Sequence, residues 1–104
     1  MPRVLVVDDD RDSLRALAAR LAFWFRPIKP VIDTADAAFT GLILAGQHSY
    51  DCLIVDVVMP GVNGLKFVEQ VRERQPDAQV ILMSGRDDNY RESLDQLGVF
   101  AFLP

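Results

Sequence analysis

Lysine is scarce in this 104-residue chain: Lys29 and Lys66 are the only two, and Lys and Arg together number 11 against 15 acidic side chains, for a net charge of −4. No stripe of basic residues runs along the sequence to neutralise a phosphate backbone, which argues against direct nucleic-acid binding. Cysteine is scarcer still. Cys52 is alone, so no internal disulfide can form, and its place in an apolar run suits a small core residue of a reducing compartment, hence an expected cytoplasmic location. No apolar stretch reaches the ~18 residues that cross a bilayer, and Met1, Pro2 and Arg3 lead straight into a strand pattern without a leader, so no membrane association is expected. Internal repeats, low-complexity tracts and linkers are likewise missing, which leaves one domain over residues 1–104.

What the chain does have is apolar side chains, 50% of the total, enough for a real core. Residues 4–7, 52–55, 79–83 and 99–103 are nearly continuous runs rich in Val, Ile, Leu and Phe, the pattern of strands buried on both faces. Residues 30–33 make a fifth, weaker strand behind a proline that could only begin one. Between the strands lie helical patterns. In the first, Leu14, Leu17, Leu21 and Trp24 recur at spacings of three and four and predict one buried face that stops at Arg26 and Pro27. Further helices are predicted over 36–45, 65–74, with Phe67, Val68 and Val71 inward, and 89–97, with Pro76 and Gly98 as punctuation. Strands alternating with ten-residue helices predict an α/β fold: a doubly wound, five-stranded parallel sheet with both faces covered.

In such a sheet, sites form beyond the carboxyl ends of the strands. Few polar residues follow the apolar runs directly: Asp8, Asp9 and Asp10 after the first, Asp56 after the third, Ser84 and Gly85 after the fourth. Clustered carboxylates repel and gain most from a hard divalent cation with oxygen ligands; magnesium, which takes one or two carboxylates and a phosphate oxygen, is the natural occupant beside Asp9 and Asp56. A carboxylate can also attack phosphorus to form an acyl phosphate. Ser84 would then hydrogen-bond a phosphoryl oxygen. Taken singly, an Asp after a strand is more often a turn former or a helix N-cap, the reading kept for Asp10 and Asp12.

The segment Asp56, Val57, Val58, Met59, Pro60, Gly61, Val62, Asn63, Gly64, together with the acids after strand one and the Ser after strand four, resembles the bacterial response-regulator receiver family across nearly the whole chain. The resemblance implies the flavodoxin-like sheet order 2-1-3-4-5, for which a chemotaxis receiver is a stock example. It implies Asp56 as phosphoacceptor, and a metal site made by Asp8, Asp9, Asp56 and the backbone carbonyl of Val58, with Asp8 acting through water. Ser84 is implied as the switch hydroxyl, Phe102 as the switch aromatic, Mg2+ as the cofactor, and a sensor histidine kinase or histidine phosphotransfer protein as the partner. No turnover enzyme is implied, only a regulatory switch. The family carries a Lys near the end of strand five and then a fifth helix, whereas this chain stops at Pro104; the expectation is therefore a C-terminally incomplete receiver lacking the last helix.

Two other classes compete. A haloacid-dehalogenase-type phosphatase would use the Asp8-x-Asp10 pair, but Arg11 and Asp12 depart from its pattern. A pseudo-receiver would act as an interaction module without being phosphorylated. Two surface expectations follow. Arg11, Arg15, Ala18 and Ala22 on helix one should dock the phosphodonor. An uncovered sheet face, or the edge of strand five, should drive self-association as a two-fold dimer.

Overall fold

The computed structural model describes residues 2–56, 58–59, 62–83 and 101–103. In chain order the elements are β1 (Arg3–Val7), α1 (Arg11–Trp24), β2 (Val31–Ala35), α2 (Ala38–Gln47), β3 (Cys52–Asp56), β4 (Val58–Met59), β5 (Val62–Asn63), α3 (Gly64–Arg74), β6 (Gln79–Met83) and β7 (Ala101–Leu103). Five of them form one parallel sheet in the order β2-β1-β3-β6-β7, which is the expected 2-1-3-4-5 topology. The short antiparallel pair β4–β5 was not expected; Val58 pairs with Asn63 and Met59 with Val62 where the sequence suggested only a loop. The helix expected over 89–97 lies outside the described residues.

Each strand side alternates, and the two faces sort cleanly. Leu5, Val7, Leu53, Val55, Val80 and Leu82 pack with Phe67, Val68 and Val71 of α3 and Ala38 and Ala45 of α2. Val6 and Ile54 point the other way, against Leu14 of α1. This is the period of two expected of strands covered on both sides. On the α2–α3 side the layers approach closely: a Cβ on Gly41 would lie 2.9 Å from Phe67 Cζ and 3.2 Å from Val7 Cγ2, so only glycine lets α2 settle there.

One expectation about α1 needs correction. Leu14 is buried and Leu17 and Leu21 are partly so, but Trp24 is exposed. Phe25, four residues after Leu21, lines an apolar groove with Val4, Ile32 and Ile54 of the sheet. The inward line of α1 therefore runs through Leu14, Leu21 and Phe25, and Trp24, about 100° round the helix from Phe25, is left at the surface.

At the end of the sheet away from the acids, Arg3, Asp33, Tyr50 and Gln75 are joined by hydrogen bonds. Asp33 Oδ2 accepts from Arg3 Nε at 2.9 Å and from the Tyr50 hydroxyl at 2.7 Å. Burial alone would raise the Asp33 carboxyl, but those two bonds outweigh it and hold it below the usual carboxylate range. Burial, with the Asp33 charge beside it, pushes the Tyr50 hydroxyl up to about 12. Gln75, just past α3, is a clamp: its Oε1 accepts from Tyr50 N at 2.7 Å and its Nε2 donates to Ala45 O and His48 O at 2.7 and 2.8 Å. Truncation by Gln75→Ala leaves these backbone groups without their partners and should cost about 1–3 kcal/mol. Urea unfolding is the measurement; a loss within error would mean that water replaces the clamp.

Candidate functional site

The acids converge because of the strand register. Val7 pairs with Val55 and Asp56 with Met83, so residues 8 and 56 stand side by side one step beyond the β1–β3 ladder. Asp8 is held there by its own backbone, whose N–H donates to Ala35 O at 3.1 Å and extends the ladder towards β2. One carboxylate oxygen each from Asp8, Asp9 and Asp56 lie within 4.8 Å of one another, a grouping able to hold a metal ion.

The three acids after β1 do different work. Asp10 has extended backbone (φ −84°, ψ 107°) and caps α1, its side chain accepting from Asp12 N at 3.0 Å and Ser13 N at 3.3 Å. Those bonds hold its carboxyl below the usual range, as expected of an N-cap. Asp10 N in turn donates to Asp8 Oδ1 at 3.0 Å, fixing that side chain. Asp8 is the buried member, 7% exposed, and its carboxyl is pushed up to about 6, first by burial and then by the charges of Asp56 and Asp9, against the pull of the Asp10 N–H. A carboxylate at this depth with two acidic neighbours is short of positive charge, the condition that favours a hard cation.

Asp36 was missed as part of the site's surroundings, because the sequence suggested that β2 ended at Asp33. It continues to Ala35, so Asp36 too follows a strand, and its Oδ2 accepts from Arg11 Nε at 2.9 Å. The rule that found Asp8 and Asp56 would have found it with the strand end placed correctly. Beside this pair, between α1 and α2, opens a cleft of about 520 Å³ lined by Arg11, Leu14, Arg15, Ala18, Thr34, Ala35, Asp36 and Thr40. Of the remaining expected site residues, Val58 lies in β4, Phe102 in β7 beside Leu82, and Ser84 outside the described residues.

A family model described as the response regulator receiver domain matches residues 4–104. The chain belongs to that family. Among curated relatives, the response regulator ArlR of Staphylococcus aureus is 29% identical over 90 residues, covering 86% of this chain and 39% of that protein. The receiver therefore spans well under half the length of such relatives. Among solved structures, the response regulator TrrA from Thermotoga maritima, in complex with Mg2+ and BeF, superposes with a TM-score of 0.81 at 30% identity, over 99% of this chain and 85% of that one. A protein described as an adenylate cyclase from Rhodopirellula baltica superposes with a TM-score of 0.85 at 27% identity, over 97% and 73% of the two chains. The sheet order expected from the sequence is thus the receiver fold, and phosphoacceptor signalling in two-component systems is the function the family implies. No helix among the described residues is long and apolar enough to cross a membrane.

Proposed function

We propose that this receiver, spanning residues 1–104, accepts one phosphoryl group on Asp56 from a sensor histidine kinase or histidine phosphotransfer protein and acts as a cytoplasmic switch rather than a turnover enzyme. The observation that carries the reading is the register-enforced meeting of Asp8, Asp9 and Asp56 at one edge of the sheet. Their oxygens suit Mg2+, with the Val58 carbonyl as a further ligand; the likeness to TrrA, described with Mg2+ and BeF, supports this. When bound, the ion would neutralise charge on the incoming phosphoryl group. An Asp56 carboxylate oxygen attacks phosphorus, the new O–P bond forms as the donor's N–P bond breaks, and the histidine nitrogen leaves with that electron pair. Ser84 is assigned the switch hydroxyl and Phe102 the switch aromatic.

Incubation with acetyl phosphate and magnesium, read by intact mass, tests this. One phosphoryl equivalent per chain is expected, and none with a chelator. Steady release of phosphate over many turnovers would instead favour the phosphatase class, and no uptake of phosphoryl or beryllofluoride would favour a pseudo-receiver.

The donor is expected to dock on α1, where Arg11, Arg15 and Ala18 line the cleft next to the acids and Ala22 is exposed. Exchanging these four positions should change the rate of transfer from the cognate kinase and leave acetyl phosphate labelling intact. Equal loss with both donors would mean that the site itself had been damaged.

A further inference from the structure

Residues 37–50 contain no Asp, Glu, Lys or Arg, in a chain where 25% of all residues are charged. The helix α2 lies wholly inside that stretch, so it has no charged side chain on any face. A surface helix ordinarily turns charged groups to solvent. Here the groups turned to solvent are Phe39, Thr40, Ile43, Gly46 and Gln47, with Phe39 74% and Ile43 46% exposed. Spaced by four, Phe39, Ile43 and Gln47 fall along one stripe, away from the buried side of Ala38, Gly41 and Ala45. Because α2 covers the sheet face opposite α1, a helix laid over the groove beside α1 would leave this stripe as it is. At its C-terminal end the Arg74 side chain lies across Gly46, with Nη1 3.0 Å from where a Cβ would stand. Among the described residues that guanidinium makes no ion pair or hydrogen bond.

We infer that α2 forms a two-fold contact with a second copy of the same chain, the two helices lying antiparallel with Ile43 at the axis. The stripe is symmetric about Ile43, four residues from Phe39 on one side and from Gln47 on the other. Antiparallel pairing therefore sets Ile43 on the partner's Ile43, and Phe39 beside the partner's Gln47 and Gly46. Gly46 has no side chain to hold the ring away, and the guanidinium laid across it offers a flat cation on which an aromatic ring stacks. Each chain carries both halves of that contact, the Phe39 ring and the Arg74 cation, as an isologous interface requires. Charge selects the same occupant: a chain of net charge −4 meets its own copy with least repulsion on an uncharged surface, and interface centres are depleted of charge. The area sets the strength. With ~150–250 Å² for a whole aromatic side chain, Phe39 and Ile43 together expose on the order of 200 Å² per protomer. Two such stripes fall short of the ~1,000 Å² that a stable interface clears, so the pair is reversible and populated at high concentration. This contact is neither the uncovered sheet face nor the strand edge expected from the sequence.

Sedimentation equilibrium up to millimolar chain concentration is the test. The expected result is a weight-average mass rising from 11.6 kDa towards twice that value. Ile43→Glu and Ile43→Lys each place like charges across the axis and should weaken dimerisation about tenfold or more, with circular dichroism unchanged because the side chain is half-exposed. An equimolar mixture of the two variants should be heavier than either alone, since only the mixed pair sets opposite charges at the axis. Trp24→Glu, on the α1 side of the sheet, should dimerise like the parent. Constant monomer mass of the parent overturns the inference. So does undiminished dimerisation of Ile43→Glu, or its loss in Trp24→Glu, either of which would put the contact elsewhere. A mixture no heavier than its components overturns it too, because Ile43 would then not meet its own copy.

Discussion

Asp56→Asn is expected to abolish phosphoryl labelling. The amide has no anionic oxygen to attack phosphorus, and the acyl phosphate cannot form. Fold loss would not explain the result, because the substitution removes one of the mutually repelling carboxylates that surround Asp8. The variant should therefore be at least as stable as the parent in metal-free buffer, and a thermal melt run beside the labelling experiment checks it. Intact mass of the parent should show a single phosphoryl adduct, and peptide mapping should place it at Asp56. An adduct that persists in Asp56→Asn, or maps to Asp8 or Asp9, would move the acceptor to the other side of the cluster and overturn the assignment.

Asp8→Asn should have opposite effects with and without metal. Asp8 titrates near 6 in the folded chain against an ordinary 3.8. A carboxyl raised in this way favours the folded state when protonated. Its contribution is fully present below about pH 3.8 and is lost as the pH rises through about 6. In chelator, the parent should therefore gain from Asp8 as pH falls from 7.5 towards 5, and Asp8→Asn should flatten that dependence. At neutral pH the variant should be more stable by about 1–2 kcal/mol, less than the bare conversion of 1.4 kcal/mol per unit implies, since water reaches Asp9 and screens the cluster. Magnesium should reverse the ranking. At about 100 times its dissociation constant, an ion that binds only the folded state adds roughly 2.7 kcal/mol, and the variant, short of one acid, should lose most of that gain. Paired melts at several pH values, with chelator and with magnesium, give both signs. A parent that melts identically with and without magnesium, or a metal-free variant less stable than the parent at neutral pH, would mean that Asp8 is a structural hydrogen-bond acceptor and not part of a cation site.

The sequence by itself determined the parallel sheet and the ends of β1 and β3. Apolar runs of four or five residues flanked by carboxylates place Asp8 and Asp56 at strand termini, because a side chain that leaves a two-sided core must do so where the sheet stops. The alternation of Val6 and Val7, or Ile54 and Val55, between opposite faces follows from the same period of two. Asp10 as an N-cap was legible too, since capping depends on local backbone geometry. What only the tertiary structure decided depends on distance between elements. Parallel register is set by packing across the sheet and not by any local signal, so the alignment of residue 8 with residue 56, and with it the raised Asp8 carboxyl, could not be read from spacing. The Arg11–Asp36 pair required the true end of β2, and Gln75 joins parts of the chain 25 to 30 residues apart. Trp24 is the clearest case. Its spacing from Leu17 and Leu21 is that of a core residue, yet Phe25 takes the place against the sheet, lining a groove with Val4, Ile32 and Ile54, and Trp24, about 100° away round the helix, stands at the surface.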